Sequence, residues 1–205
     1  MEAFNSLRNY VVTLFSQEKN PLLRYKNIGY HFLSEIDIYM KFLKKMNDQV
    51  KRIEKHNKDL QLQLNKHSMG VLSCAFNFEN SLPHPFRQKV RSLFREVVGC
   101  YIFQSKLLKR YYVKPRGYPG DFIMFETLYN NQPLSRDIGY YFDRFVLSYS
   151  LAKSVTQRKD KMKKLLTGMI ENADADTLQI LNIGCGSARE IKEMLLNNVM
   201  RKKLE

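Results

Sequence analysis

The sequence predicts a mainly α-helical protein: a helical N-terminal region, built as a bundle or a long helical hairpin, then the first βα unit of an α/β domain. Three observations predict it. Apolar residues recur every three or four positions through most of residues 1–175, which is the period of one helix face. From Asp176 the pattern changes to a short apolar run, TLQILNI, suited to a buried parallel strand. That run ends in Gly184-Cys185-Gly186, where glycines allow the sharp turn that leads a strand into a helix.

The elements follow in order. From Ile36 the apolar positions run Tyr39, Leu43, Met46, Val50, Ile53, then Asn57, Leu60 and Leu64, a seam of about four heptads with one polar member. Ser34, with Glu35 and Asp37 behind it, suits the start of this helix, because a Ser cap and early carboxylates complement the helix dipole. A long helix packed inside the chain is the expected use of the seam, and a homodimer through 36–64 is its alternative. Residues 67–84, with Gly70, Pro83 and two Asn, are expected to break the pattern. Helical spacing resumes at Pro85 with Val90, Leu93, Phe94, Val97 and Val98. A short helix from Ser105 to Tyr112 stops before Pro115, since proline disfavours helix in the residue ahead of it. KPRGYPGD (114–121) is a tight loop, and Asp121 can cap the helix FIMFETLYN. Helices over 135–149 and 150–172 come next, then the strand at 176–183 and a helix from Arg189 to Asn198.

Composition narrows the function. At 205 residues, with 44% hydrophobic and 26% charged, the chain is globular in character rather than disordered. No run approaches the roughly 18 apolar residues of a membrane span. The N-terminus MEAFNSLRNYVV lacks a secretory pattern, so a cytoplasmic location is expected. Three widely spaced cysteines and four irregular histidines give neither a disulfide framework nor a metal set. The net charge of +14 is spread along the chain, with one concentration of Arg87, Lys89, Arg91, Arg95, Lys106, Lys109 and Arg110. No nucleic-acid motif accompanies it, so a solvated helix face is expected there rather than a nucleic-acid partner.

The chemistry rests on the glycine turn. Gly184 and Gly186 let backbone approach a ligand that a side chain would block, and a helix start after the turn would add free N–H groups. Ala188 stands where a dinucleotide fingerprint has its third glycine, which disfavours NAD or FAD. The segment LQILNIGCGSAREIKEML (178–195) resembles the first motif of class I S-adenosylmethionine-dependent methyltransferases. KPRGYPGDFIMFETLYN and SVTQRKDKMKKLL upstream extend the likeness over residues 100–195. They are similar to a bacterial group associated with making the methyl ester of 3-hydroxypalmitic acid.

The resemblance implies a Rossmann-like domain binding S-adenosyl-L-methionine without a metal. It places Asn182, Gly184, Cys185, Gly186 and Ala188 against the cofactor, with Asn182 where many such enzymes carry an acidic residue. Arg116, Tyr118 and Asp121 would belong to a loop over the active site, and Arg158 would meet a carboxylate. The acceptor it implies is a small molecule, a fatty-acid carboxylate among the candidates, and no catalytic residue is singled out. Three regions are expected: helical 1–113, a loop-and-helix cap at 114–175, and a Rossmann-like start at 176–205. Since 28 residues from Leu178 hold one strand and one helix, the methyltransferase domain is expected to be truncated and inactive alone. The alternative is a helical binding or self-association module with no catalytic activity.

Overall fold

A computed structural model describes residues 1–16, 21–53, 56–173 and 179–196. Among them are nine α-helices and one 3-10 turn, and no strand. The βα unit expected at 176–183 is therefore overturned: residues 179–182 take no regular structure, and 176–178 lie outside the described residues. The physical reason is twofold. No described segment offers the backbone ladder that a strand needs. Nor do the apolar side chains face a core, since Leu181 is 86% and Ile183 85% exposed. The chain divides into two compact units, Met1–Lys106 with Ser135–Phe145, and Leu107–Leu134 with Val146–Glu205.

The first unit is built from α1 (Glu2–Leu14), a 3-10 turn (Pro21–Tyr25), α2 (Lys26–Val50), α3 (Lys58–Asn80), α4 (His84–Ile102) and the start of α7 (Asp137–Ser148). Leu7, Val11 and Leu14 form the buried stripe of α1, which packs on α4. The heptad seam is used within the chain. Ile36, Tyr39, Leu43, Met46 and Val50 are all buried on α2, which packs along α3, so these positions are not available to a second copy. Phe32 and Phe78 lie 5.0 Å apart between ring centroids, with Phe94 5.9 Å from Phe32. The Tyr39 hydroxyl is 2.9 Å from Ser68 Oγ, and burial pushes its pKa up to about 12.

Three boundaries differ from the sequence reading. The helix begins at Lys26, so Ser34 lies inside it. Asn57 is no seam residue but the N-cap of α3, its Oδ1 accepting from Asp59 N at 2.9 Å and Leu60 N at 3.1 Å; the seam thus folds back as a hairpin. And α3 runs straight through the expected break to Asn80. Its buried face, Leu60, Leu64, Ser68, Val71 and Phe78, keeps helical spacing across Gly70, so packing outweighs one weak residue. Leu62, Met69, Leu72 and Phe76 are exposed on the same helix, and apolar side chains on two faces obscure its period.

A Cβ at Gly70 would meet nothing within 4 Å. Gly70→Ala is expected to stabilise the first unit by about 1 kcal/mol, the helix-propensity difference, read from chemical denaturation. Any destabilisation would show that the site is crowded.

The second unit holds α5 (Lys106–Val113), α6 (Phe122–Asn130), the end of α7, α8 (Ser150–Glu171) and α9 (Arg189–Leu195). Leu107, Met124, Leu128, Leu147 and Ala152 form its core, with Phe125, Val146 and Val155 against them. Ile170 and Met194 pack with Leu166 where α8 meets α9. Much of the basic stretch serves the fold. Arg87 Nε donates to Leu82 O at 2.5 Å, at the end of α3, and Arg91 pairs with Glu79. No helix is long and apolar enough to cross a membrane among the described residues.

Candidate functional site

The candidate site lies in the second unit, where the 182–188 turn faces α6 and α8. The turn is glycine-dependent: Gly184 has φ +68° and Gly186 φ +59°, a region that L residues enter at a cost of about 1–2 kcal/mol. Ala188 takes the same conformation, φ +46°, as N-cap of α9. Its N–H donates to Cys185 O at 2.8 Å, closing the turn. Helix α9 begins directly after it and spans seven residues, Arg189–Leu195.

Beside the turn is a cavity of about 170 Å³, lined by Asn182, Gly184, Cys185, Gly186, Ser187 and Glu190 on one side. Phe125, Tyr129, Arg158, Lys159 and Met162 complete the lining. Arg158 and four of the five residues assigned to the cofactor thus converge on one space. Ala188 lines a second cavity, of about 490 Å³, with Ile191, Lys192, Leu195 and Leu196; the two cavities share Ser187. The Phe125 and Tyr129 rings stack with planes 18° apart. The Arg158 guanidinium lies 5.9 Å from the Phe125 centroid, and Lys159 Nζ 5.6 Å from that of Tyr129. Burial raises the Tyr129 pKa, with the Arg158 charge acting against it.

The turn is anchored by an ion-pair network. Glu193 accepts from Lys159 at 2.8 Å, Lys163 at 3.1 Å and Arg189 Nε at 3.0 Å, and Arg189 also reaches Glu126 at 2.8 Å. Helix α9 is therefore tied to α8 and α6 immediately after the turn. Burial pushes the Glu193 carboxyl up, but the three cations, Lys159 foremost, hold it at about 2.

The loop residues separate into two roles. Asp121 is buried and structural: Arg110 grips it with Nε–Oδ1 at 3.0 Å and Nη2–Oδ2 at 2.5 Å, while Oδ1 accepts the Met124 N–H at 3.0 Å. The Arg110 hydrogen bond is the main reason its pKa falls to about 2. Arg116 approaches Asp121 at 3.5 Å and covers the Phe122 ring at 4.4 Å. A Cβ at Gly186 would stand 4.0 Å from Phe122 Cβ, so Arg116 caps a ring that borders the glycine turn. Tyr118 is 52% exposed and lines none of these cavities.

Compared with family models, curated proteins and solved structures, the chain matches none. The site therefore stands on its own geometry. Sequence reasoning missed Phe125, Tyr129, Lys159 and Met162. Their signal was present as i, i+4 spacing on α6 and i, i+3 spacing from Lys159 to Met162 on α8, but nothing in the sequence said which faces meet.

The two low carboxylates set an acid limit. Asp121 and Glu193 ordinarily titrate at 3.8 and 4.5, and at about 2 here. A carboxylate depressed by folding stabilises fully above its unfolded pKa and loses that contribution as pH falls through its folded value. Second-unit stability is expected to be flat from about pH 7 to 5.5 and to fall between about pH 4.5 and 2. Melting curves by circular dichroism across this range check it, and an unchanged midpoint at pH 3 would contradict it.

Proposed function

We propose that the second unit binds S-adenosylmethionine at the glycine turn, and that the chain serves methyl transfer to a small-molecule acceptor. The observation that carries this reading is the convergence of Asn182, Gly184, Cys185 and Gly186 with Arg158 on one cavity. The donor set fits such a molecule. Arg158 offers charge-assisted hydrogen bonds to a carboxylate, Glu190 offers one to an ammonium, and the Phe125–Tyr129 rings offer π faces to a cation. A volume of about 170 Å³ is below the roughly 300–1,000 Å³ of a whole-ligand pocket. It suits the amino-acid end of the cofactor, with the cavity beyond Ser187 open to the remainder.

S-adenosylmethionine, when bound, supplies an electrophilic methyl group on a sulfonium. The chain's own residues would orient it: the glycine turn by close backbone approach, Arg158 by its charge, and Phe125 and Tyr129 by excluding water. A fatty-acid carboxylate as acceptor would need no general base.

Isothermal titration of S-adenosylmethionine and S-adenosylhomocysteine tests the reading. Saturable binding of both is expected, weakened about tenfold by Arg158→Ala, the loss of one charged hydrogen bond. Gly186→Val should weaken it further, because valine resists positive φ. Failure of both ligands to bind, or binding indifferent to both substitutions, overturns it.

A further inference from the structure

A further cavity lies in the first unit and shares no lining residue with the glycine turn. The end of α2, Ile53, His56 and the start of α7 border a cavity of about 400 Å³ lined by Val50, Ile53, His56, Ser135, Arg136, Asp137, Tyr140 and Tyr141. That volume falls within the roughly 300–1,000 Å³ typical of small-molecule pockets. Its floor is fixed. Val50, Ser135 and Tyr141 are buried. The Tyr141 hydroxyl accepts from Asn57 N at 3.0 Å and its carbonyl from Gln61 Nε2 at 3.0 Å. Ser135 donates its N–H to the buried Asp143 Oδ2 at 2.8 Å and accepts the Lys106 N–H at 2.7 Å.

The wall is aromatic: the His56 ring lies 5.1 Å from Tyr140 and 5.0 Å from Tyr141 between centroids. Arg136 and Asp137, consecutive residues of opposite charge, add the charged chemistry of the lining. Among the described residues neither forms an ion pair within 4 Å. Asp137 is held at φ +48°, a conformation of higher energy for a residue with a Cβ.

We propose that this cavity binds a free α-amino acid with an aromatic or branched apolar side chain. Arg136 would receive the carboxylate, Asp137 the ammonium, and the cavity of Val50, Ile53, His56 and Tyr140 the side chain. The paired charges select the class. A ligand with a carboxylate alone meets Asp137 as a repulsion, and an amine alone meets Arg136; only a zwitterion satisfies both.

Titration calorimetry of the full chain with L-phenylalanine, phenylacetate and phenethylamine tests this. L-Phenylalanine is expected to bind saturably, and at least about tenfold more tightly than either single-charge analogue, one charged hydrogen bond being worth about that factor. Arg136→Ala, at an exposed position, should weaken L-phenylalanine at least about tenfold, with a melting curve confirming the fold. Gly186→Val should leave it unchanged, which separates this site from the glycine turn. Absence of saturable L-phenylalanine binding, equal binding of a single-charge analogue, or indifference to Arg136→Ala overturns the proposal.

Discussion

Replacing Asp121 with alanine is expected to lower the unfolding free energy of the second unit by about 3 kcal/mol, the usual cost of breaking one side of a buried ion pair. Asp121 is 2% exposed and performs two tasks at once, accepting both Arg110 contacts and capping α6 through the Met124 N–H. Alanine removes the cap, leaves Arg110 beside an empty space and keeps none of the hydrogen bonds. Asparagine retains a capping oxygen, so Asp121→Asn should lose less than Asp121→Ala. Urea denaturation followed by far-ultraviolet circular dichroism measures both. A loss below about 1 kcal/mol for alanine, within the range of a cap alone, would contradict the ion pair's structural role.

Gly139→Ala should also destabilise, for a different reason. A Cβ there would lie 2.4 Å from Gln104 O and 2.7 Å from Gln104 C. These are backbone atoms, which cannot rotate away as a flexible side chain can. Overpacking of this kind costs about 1–3 kcal/mol and sometimes more, and it must exceed the gain of about 1 kcal/mol that alanine brings within a helix. A net loss of up to about 2 kcal/mol in the first unit is expected. The opposite sign at Gly70, where a Cβ meets open space, makes the pair diagnostic: the same substitution in two helices differs only in what surrounds it. Equal effects at both positions would refute the packing described around α7.

What the sequence disclosed followed from local chemistry. FIMFETLYN is a helix capped by Asp121, and the helix at 150–171 agrees with its apolar spacing. The first carries its start signal in Asp121, and the second is legible from apolar spacing alone. The errors arose where tertiary packing decides. Asn57 fits a heptad seam by spacing, yet α2 ends at Val50 and the Asn57 side chain is needed as the cap of α3. Gly70 and the asparagines of 67–84 suggest a break, yet the buried side of α3 continues through them. At 179–183 an apolar run without a neighbouring strand has no ladder to join, and composition alone does not reveal that lack.

The candidate site was legible in part for the same reason. Glycines that need positive φ announce themselves, and Gly184 and Gly186 both take it. The resemblance set Arg158 among the cap residues, to meet a carboxylate, and it lines the same cavity as these glycines. Tyr118 was set beside Arg116 only by adjacency in the loop, whereas it is Phe122 that touches both Arg116 and the surroundings of Gly186. Phe125, Tyr129 and Lys159 needed the pairing of α6 with α8, which no local signal encodes.

The most direct measurement is a set of ¹H–¹⁵N amide spectra of the labelled chain with increasing S-adenosylhomocysteine. Binding at the glycine turn predicts saturable shifts of the Gly184, Cys185, Gly186 and Ser187 amides, together with Arg158 and Glu190, and none across α1 to α4. Shifts confined to the first unit, or no saturable shift at the 184–187 amides, would contradict it.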